Sequence, residues 1–127
     1  MKAAYVDTSA LVALLLDDAG SARMRKRISG FDRLLAASFM EAELRSALHR
    51  EEVGDDPEEL WEMISWVHPD RRLTDEIIEA LSIGHLRGAD LWHIATALYI
   101  DPETSDLTFL TLDQRQRSVA EQLGFLV

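Results

Sequence analysis

The chain has 127 residues, 47% hydrophobic and 28% charged, which fits one globular domain over 1–127 with enough apolar material for its own core. It has no cysteine, so disulfide scaffolds, thiolate zinc sites and thiol nucleophiles are excluded. Thirteen basic against twenty-three acidic residues give a formal charge of −10, which argues against a general nucleic-acid-coating surface. The apolar run Ala10 to Leu16 is far shorter than the roughly 20 residues of a membrane span and lacks the form of a signal peptide. A cytoplasmic protein with no membrane contact is expected.

Ala3-Ala4-Tyr5-Val6 is a short apolar run that reads as a buried strand ending at Asp7. Helices are expected over Leu11–Leu16 and Ser21–Ile28, the second carrying Arg23, Arg25, Lys26 and Arg27. Leu34 to Ala37 reads as another strand, followed by a helix from Ser38 to about Glu52. Pro57 suits the first turn of a helix running to about Val67, with Trp61 and Trp66 as core or partner contacts. Thr74 is placed as the cap of a helix to Ile83, and Gly84 and Gly88 break the chain before the next. There Leu91, Ile94, Ala95 and Leu98 recur at helical spacing. Thr108 to Leu112 reads as a strand, Asp113 to about Gly124 as a helix, and Phe125 to Val127 as a last short strand. Short strands alternating with helices predict an α/β fold in three layers, a parallel sheet covered on both faces.

In such sheets ligands bind beyond the carboxyl ends of the strands. Two strands run into an aspartate there, at Asp7 and Asp113. Each could simply cap the following helix, but two on one sheet raise the prospect of a shared acidic site. On the helix from Ser38, Glu41 has structural explanations: a capping box with Ser38 and an ion pair with Arg45. Glu43 borders the stripe of Met40, Leu44, Ala47 and Leu48 without an obvious partner, which makes it the functional candidate. Asp90 lies in the first turn of the most apolar helix, where an acid also complements the helix dipole.

In order, these segments resemble the PIN-domain ribonucleases, most closely the VapC-type toxins of toxin–antitoxin pairs. The resemblance rests on Tyr5-Val6-Asp7-Thr8-Ser9-Ala10-Leu11, on Ala42-Glu43-Leu44, on Asp90-Leu91-Trp92-His93-Ile94-Ala95-Thr96-Ala97, and on Thr111-Leu112-Asp113 with Ala120 and Leu123-Gly124. Leu91-Trp92 is bulkier, and Arg115 to Arg117 more polar, than is usual in the family. The resemblance implies a metal-dependent endoribonuclease, often a homodimer, held inactive by a small basic antitoxin. Asp7, Glu43, Asp90 and Asp113 are its implied catalytic acids.

Clustered carboxylates repel one another, and a hard divalent cation resolves that repulsion. Mg²⁺ is the expected ion, with Mn²⁺ able to substitute, and the expected chemistry is hydrolysis of a phosphodiester by metal-activated water. Asp7 and Asp90 are expected as direct ligands. Glu43 and Asp113 could be further ligands, could hold metal-bound water, or could form a second site. Thr8, Ser9 and Thr111 could orient the carboxylates or could satisfy local turn backbone instead. His93, three residues after Asp90, is read as a hydrogen-bonded structural group outside the catalytic set. RNA binding by so acidic a chain would rely on the cation and on local basic patches at Arg23, Arg25, Lys26 and Arg27 and at Arg115 and Arg117, which read equally as solvated helix faces. The same acidity suits capture of an arginine-rich antitoxin segment.

An aspartyl-phosphate phosphatase would want an acid where Ser9 stands, and a receiver-like domain a lysine near the site, where the chain has only Lys2 and Lys26. The rival of another class is a catalytically idle PIN-like module that only binds a partner.

Overall fold

Each short apolar run pairs with another such run, and the helices between them make the crossovers that parallel pairing requires. The computed structural model describes residues 2–16, 21–52 and 58–127. In chain order the elements are β1 (Ala3–Val6), α1 (Thr8–Leu15), α2 (Ser21–Ile28), β2 (Arg33–Ala37), α3 (Met40–Arg50) and α4 (Glu58–Met63). There follow β3 (Ile64–Val67), α5 (Thr74–Ile83), α6 (Gly88–Ile100), β4 (Thr108–Leu110) and α7 (Gln114–Leu123). The four strands form one sheet in the order β3-β2-β1-β4, every pair parallel. Six of the helices fall into two packed sets, α1 with α2 and α3, and α5 with α6 and α7, while α4 packs against β3. This is the expected α/β architecture, a parallel sheet flanked by helices.

β1 is the middle of this arrangement: Tyr5 sits opposite Leu35 on one side and Phe109 on the other. Ala4, Tyr5 and Val6 are all fully buried, as both faces of a covered parallel strand must be, so the run is apolar throughout rather than alternating. Tyr5 stacks on Phe109 at 5.2 Å between centroids, and Phe109 meets Phe125 at 6.2 Å, which ties the chain's end to the core. The order also sets where a site can form. From β1 the chain crosses to β2 and β3 on one side, and returns to β4 on the other. The switch point therefore lies between the carboxyl ends of β1 and β4, where a crevice opens in folds of this kind.

Several local expectations change. The helix expected through Val67 ends at Met63, and Ile64-Ser65-Trp66-Val67 instead extends as β3 beside β2, Leu34 opposite Ile64. β-branched and aromatic residues before Pro69 suit a strand, and the open edge of β2 supplies the partner. Pro57 lies outside the described residues. α1 starts at Thr8 rather than Leu11, because Asp7 caps it. α3 starts at Met40, with Phe39 in the cap position and no side-chain cap bond, so the Ser38–Glu41 box does not form; Glu41 pairs with Arg45 at 3.0 Å as expected. Thr74 is the first residue of α5 rather than its cap. β4 stops at Leu110, and the last strand reduces to one parallel bridge between Leu126 and Thr108. α7 ends as expected at Gly124, whose φ of 110° is the left-handed conformation that favours glycine.

Candidate active site

Asp7 follows β1 directly and is held on every side. Its Oδ1 accepts the Ala10 N–H at 3.0 Å, and the Ser9 hydroxyl reaches both carboxylate oxygens, at 2.8 and 2.9 Å. Thr111, just past the end of β4, lies 2.6 Å from Oδ2. The residue is only 2% exposed. Burial raises its pKa and the charge of Asp90 adds to the rise, against the pull of Thr111, Ala10 and Ser9.

Thr111 is the hub of this corner. Its oxygen also accepts the Asp113 N–H at 3.0 Å and lies 2.8 Å from Oε1 of Gln116. One hydroxyl proton cannot serve both Asp7 and Gln116. Turning the Gln116 amide over would set its oxygen against the Asp90 carbonyl, to which Nε2 now donates at 3.1 Å. The Thr111 proton therefore serves one of the two acceptors at a time, and the Asp7 carboxylate is the closer, at 2.6 Å against 2.8 Å.

Asp113 caps α7, its Oδ1 accepting the Gln116 N–H at 2.9 Å. Asp90 stands in the first turn of α6, half-buried. Its pKa is raised by burial and by the charge of Asp113, with Arg87 opposing. Asp90 and Asp113 line a pocket of about 270 Å³ together with His85, Leu86, Arg87 and Arg115. Asp90 therefore links the buried Asp7 to the accessible Asp113. Glu43 is placed differently. It is exposed on the first turn of α3 and does not line this pocket, and partial desolvation raises its pKa. Phe39, in the cap position before α3, packs on His93 of α6 at 5.2 Å.

A family model described as the PIN domain matches residues 4–122. The chain belongs to the PIN domain family. No curated protein and no solved structure matches it. PIN domains are usually nucleases and generally use divalent metal ions, which supports an enzyme here.

The residues of this PIN domain suit such an ion in their donor chemistry. Asp90 and Asp113 present oxygen alone, and Mg²⁺ needs only one or two carboxylates while keeping several waters. Among the described residues, no group of three or more His, Asp or Glu side chains is placed to hold a metal ion. Ser9 and Thr111 bond to a carboxylate, as a role in orienting it requires, whereas the Thr8 hydroxyl meets His93 Nε2 at 3.3 Å. His93 is 1% exposed, bonds to the Tyr5 hydroxyl at 2.6 Å, and is pushed down to about 4 by burial. It is a neutral strut between α6 and β1.

Sequence reading passed over Gln116. This fully buried side chain joins Thr111 to the Asp90 backbone, while its own N–H is capped by Asp113. A signal was present: Asp113-x-x-Gln116 has the spacing of an N-cap with a glutamine at N3.

Proposed function

We propose that this PIN domain is a Mg²⁺-dependent endoribonuclease, the toxin of a toxin–antitoxin pair. The observation that carries the reading is the pair Asp90 and Asp113 facing one pocket at the switch point of the sheet, with the carboxyl of Asp7 buried behind them. The charge of Asp113 raises the pKa of Asp90, and a divalent cation beside both would relieve that repulsion. Asp90 and Asp113 would hold the ion (Mn²⁺ could replace Mg²⁺), with Asp7 as a third ligand or as the group that orients them, and Glu43 reaching in from α3. The ion would acidify a water and neutralise the scissile phosphate. Ser9 and Thr111 hold Asp7 in place, and Gln116 fixes the first turn of α6 against the cap of α7, so the spacing of Asp90 and Asp113 is set before substrate arrives.

The remaining parts of the reading rest on charge and on the family. A chain at −10 suits a small basic antitoxin, one of whose arginines would fork onto Asp90 and Asp113, and the likeness to VapC-type toxins adds a homodimer in the cytoplasm. RNA cleavage measured across a Mg²⁺ or Mn²⁺ titration tests the core of it. Cleavage by the native chain and none by Asp90→Asn supports the nuclease. No cleavage of structured or unstructured RNA with either ion leaves the idle partner-binding module.

A further inference from the structure

The pocket that holds Asp90 and Asp113 is not lined by acids alone. Arg87, in the segment between α5 and α6, and Arg115, in the first turn of α7, line it from two different elements. Neither makes an ion pair within 4 Å among the described residues, although Asp90 and Asp113 stand in the same pocket. Both side chains are exposed, and Arg87 acts on Asp90 through space rather than by direct contact. Left apart, the acids suit a cation and the arginines suit an anion in one place, as a metal-assisted attack on a phosphodiester requires.

A second groove of about 400 Å³ continues from this pocket, sharing His85 and Arg115 with it. It runs between the end of α5 and the outer face of α7. Gly84 lies in extended backbone against α7, so close that a Cβ there would stand 3.3 Å from Val119 Cγ2. Ile83 gives this groove its exposed apolar surface, over the buried Val119, and Ser118 and Gln122 give it polar walls. Its volume lies within the roughly 300–1,000 Å³ typical of small-molecule clefts. Gln122 is fixed in one sense: Nε2 donates to the Ser118 carbonyl at 3.2 Å and to its hydroxyl at 3.0 Å. Turning the amide would set its oxygen against that carbonyl, so Oε1 is the atom left to accept a bond from a ligand.

We infer that this second groove is a nucleotide subsite for single-stranded RNA, in which Arg115 holds the phosphate next to the cut and Gln122 selects a base bearing an exocyclic amine. This rests on the nuclease reading of the neighbouring acids. A base lies flat on apolar surface and offers its edge to side chains, which is how single strands are read by sequence. Adenine, cytosine and guanine carry an amino group that Oε1 can accept from; uracil has only an N3–H flanked by two carbonyls and is disfavoured.

The test is equilibrium binding in EDTA of fluorescein-labelled octamers of A, C and U, which requires no cleavage. The native chain should bind the A and C octamers about fivefold more tightly than U, the worth of roughly one hydrogen bond. Gln122→Leu should bring the three within about twofold. Arg115→Gln should weaken all three alike by roughly tenfold and lower the salt slope by about 0.7, one single-strand phosphate contact, while Arg115→Lys keeps the slope. Arg27→Gln, on α2, should change nothing. An Arg115→Gln or Gln122→Leu chain that binds as the native one does, while the native chain cleaves RNA, overturns the subsite and leaves the nuclease standing. Loss of binding in Arg27→Gln instead moves the RNA to the α2 surface. A native chain that neither binds the octamers nor cleaves RNA takes both readings down together.

Discussion

Asp7 and Glu43 are both candidate acids, yet their surroundings are opposite. Asp7 is held by Ser9, Ala10 and Thr111 at the junction of β1 and α1, and two further residues anchor what holds it. Glu43 projects from an exposed helical turn with no such frame. The contrast teaches where orientation is set in advance. At the β1–β4 switch point the carboxyls are placed by folding, because each strand end, cap and hydroxyl is fixed by the sheet. On α3 a carboxylate must be drawn in by what binds, at a cost in side-chain entropy of up to about 2 kcal/mol. Substitutions on the two sides should therefore differ in kind.

The largest effect should come from the acids that face the pocket. Asp90→Asn and Asp113→Asn should each lower metal-dependent cleavage by at least about 100-fold, with a far-ultraviolet spectrum like that of the native chain. Asp7→Asn should match them in rate, and Mg²⁺ should raise the melting temperature of the native chain more than that of an Asp7→Asn/Asp90→Asn double variant. Full activity in any single variant would remove that residue from the site.

Next comes the frame. Thr111→Val keeps the shape but withdraws the hydroxyl from Asp7, Gln116 and the Asp113 N–H. It should cost roughly 1–3 kcal/mol of stability and slow cleavage by about 10–100-fold. Chemical unfolding and single-turnover rates on the same preparation check both numbers. A stability loss with an unchanged rate would make Thr111 a fold residue alone.

On α3 the expected effects are smaller and discriminating. Glu43→Gln should reduce cleavage by about tenfold and Glu41→Gln, which loses only its exposed pair with Arg45, by less than twofold. A ranking in the opposite order would show that the wrong glutamate had been chosen.

The last prediction leaves the rate aside and reads stability. His93 titrates near 6.5 when unfolded and at about 4 when buried, so the unfolded chain takes up its proton first as pH falls. The stability held by the neutral ring is complete above about pH 6.5 and is lost progressively between about 6.5 and 4, on the order of 3 kcal/mol in all. Urea midpoints at pH 8, 6 and 5 should show this slope, and His93→Gln should flatten it. An unchanged slope in the variant would assign the acid sensitivity to other groups.

Much of this was legible in the chain. The apolar run Ala3–Val6 ending at Asp7, the Asp113 cap and the Gly124 stop are local signals, each read from a few neighbouring residues, and all three stand in the structure. The failures are local signals that tertiary context overrode. Ser38-x-x-Glu41 has the spacing of a capping box and forms none, because Ser38 is engaged as β2 leaves the sheet, its N–H donating to the Val67 carbonyl. Asp113-x-x-Gln116 has a related spacing and does cap, but its glutamine turns inward to Thr111 and Asp90 instead of reaching back. Ile64–Val67 fits a helix by continuation and becomes a strand because β2 offers it an edge.

By itself the sequence determined the parallel α/β class, the strand ends that carry acids, and the identity of those acids, since periodicity and capping act over one or two turns of chain. Only the tertiary structure decided that Asp90 faces Asp113 across 22 intervening positions, that Gln116 joins them, that Glu43 stands apart, and that Arg115 opens onto a second groove. Those relations depend on which faces of α6 and α7 pack together beside β4. That choice is made by burial of apolar area over the whole core, and no short window of sequence contains it.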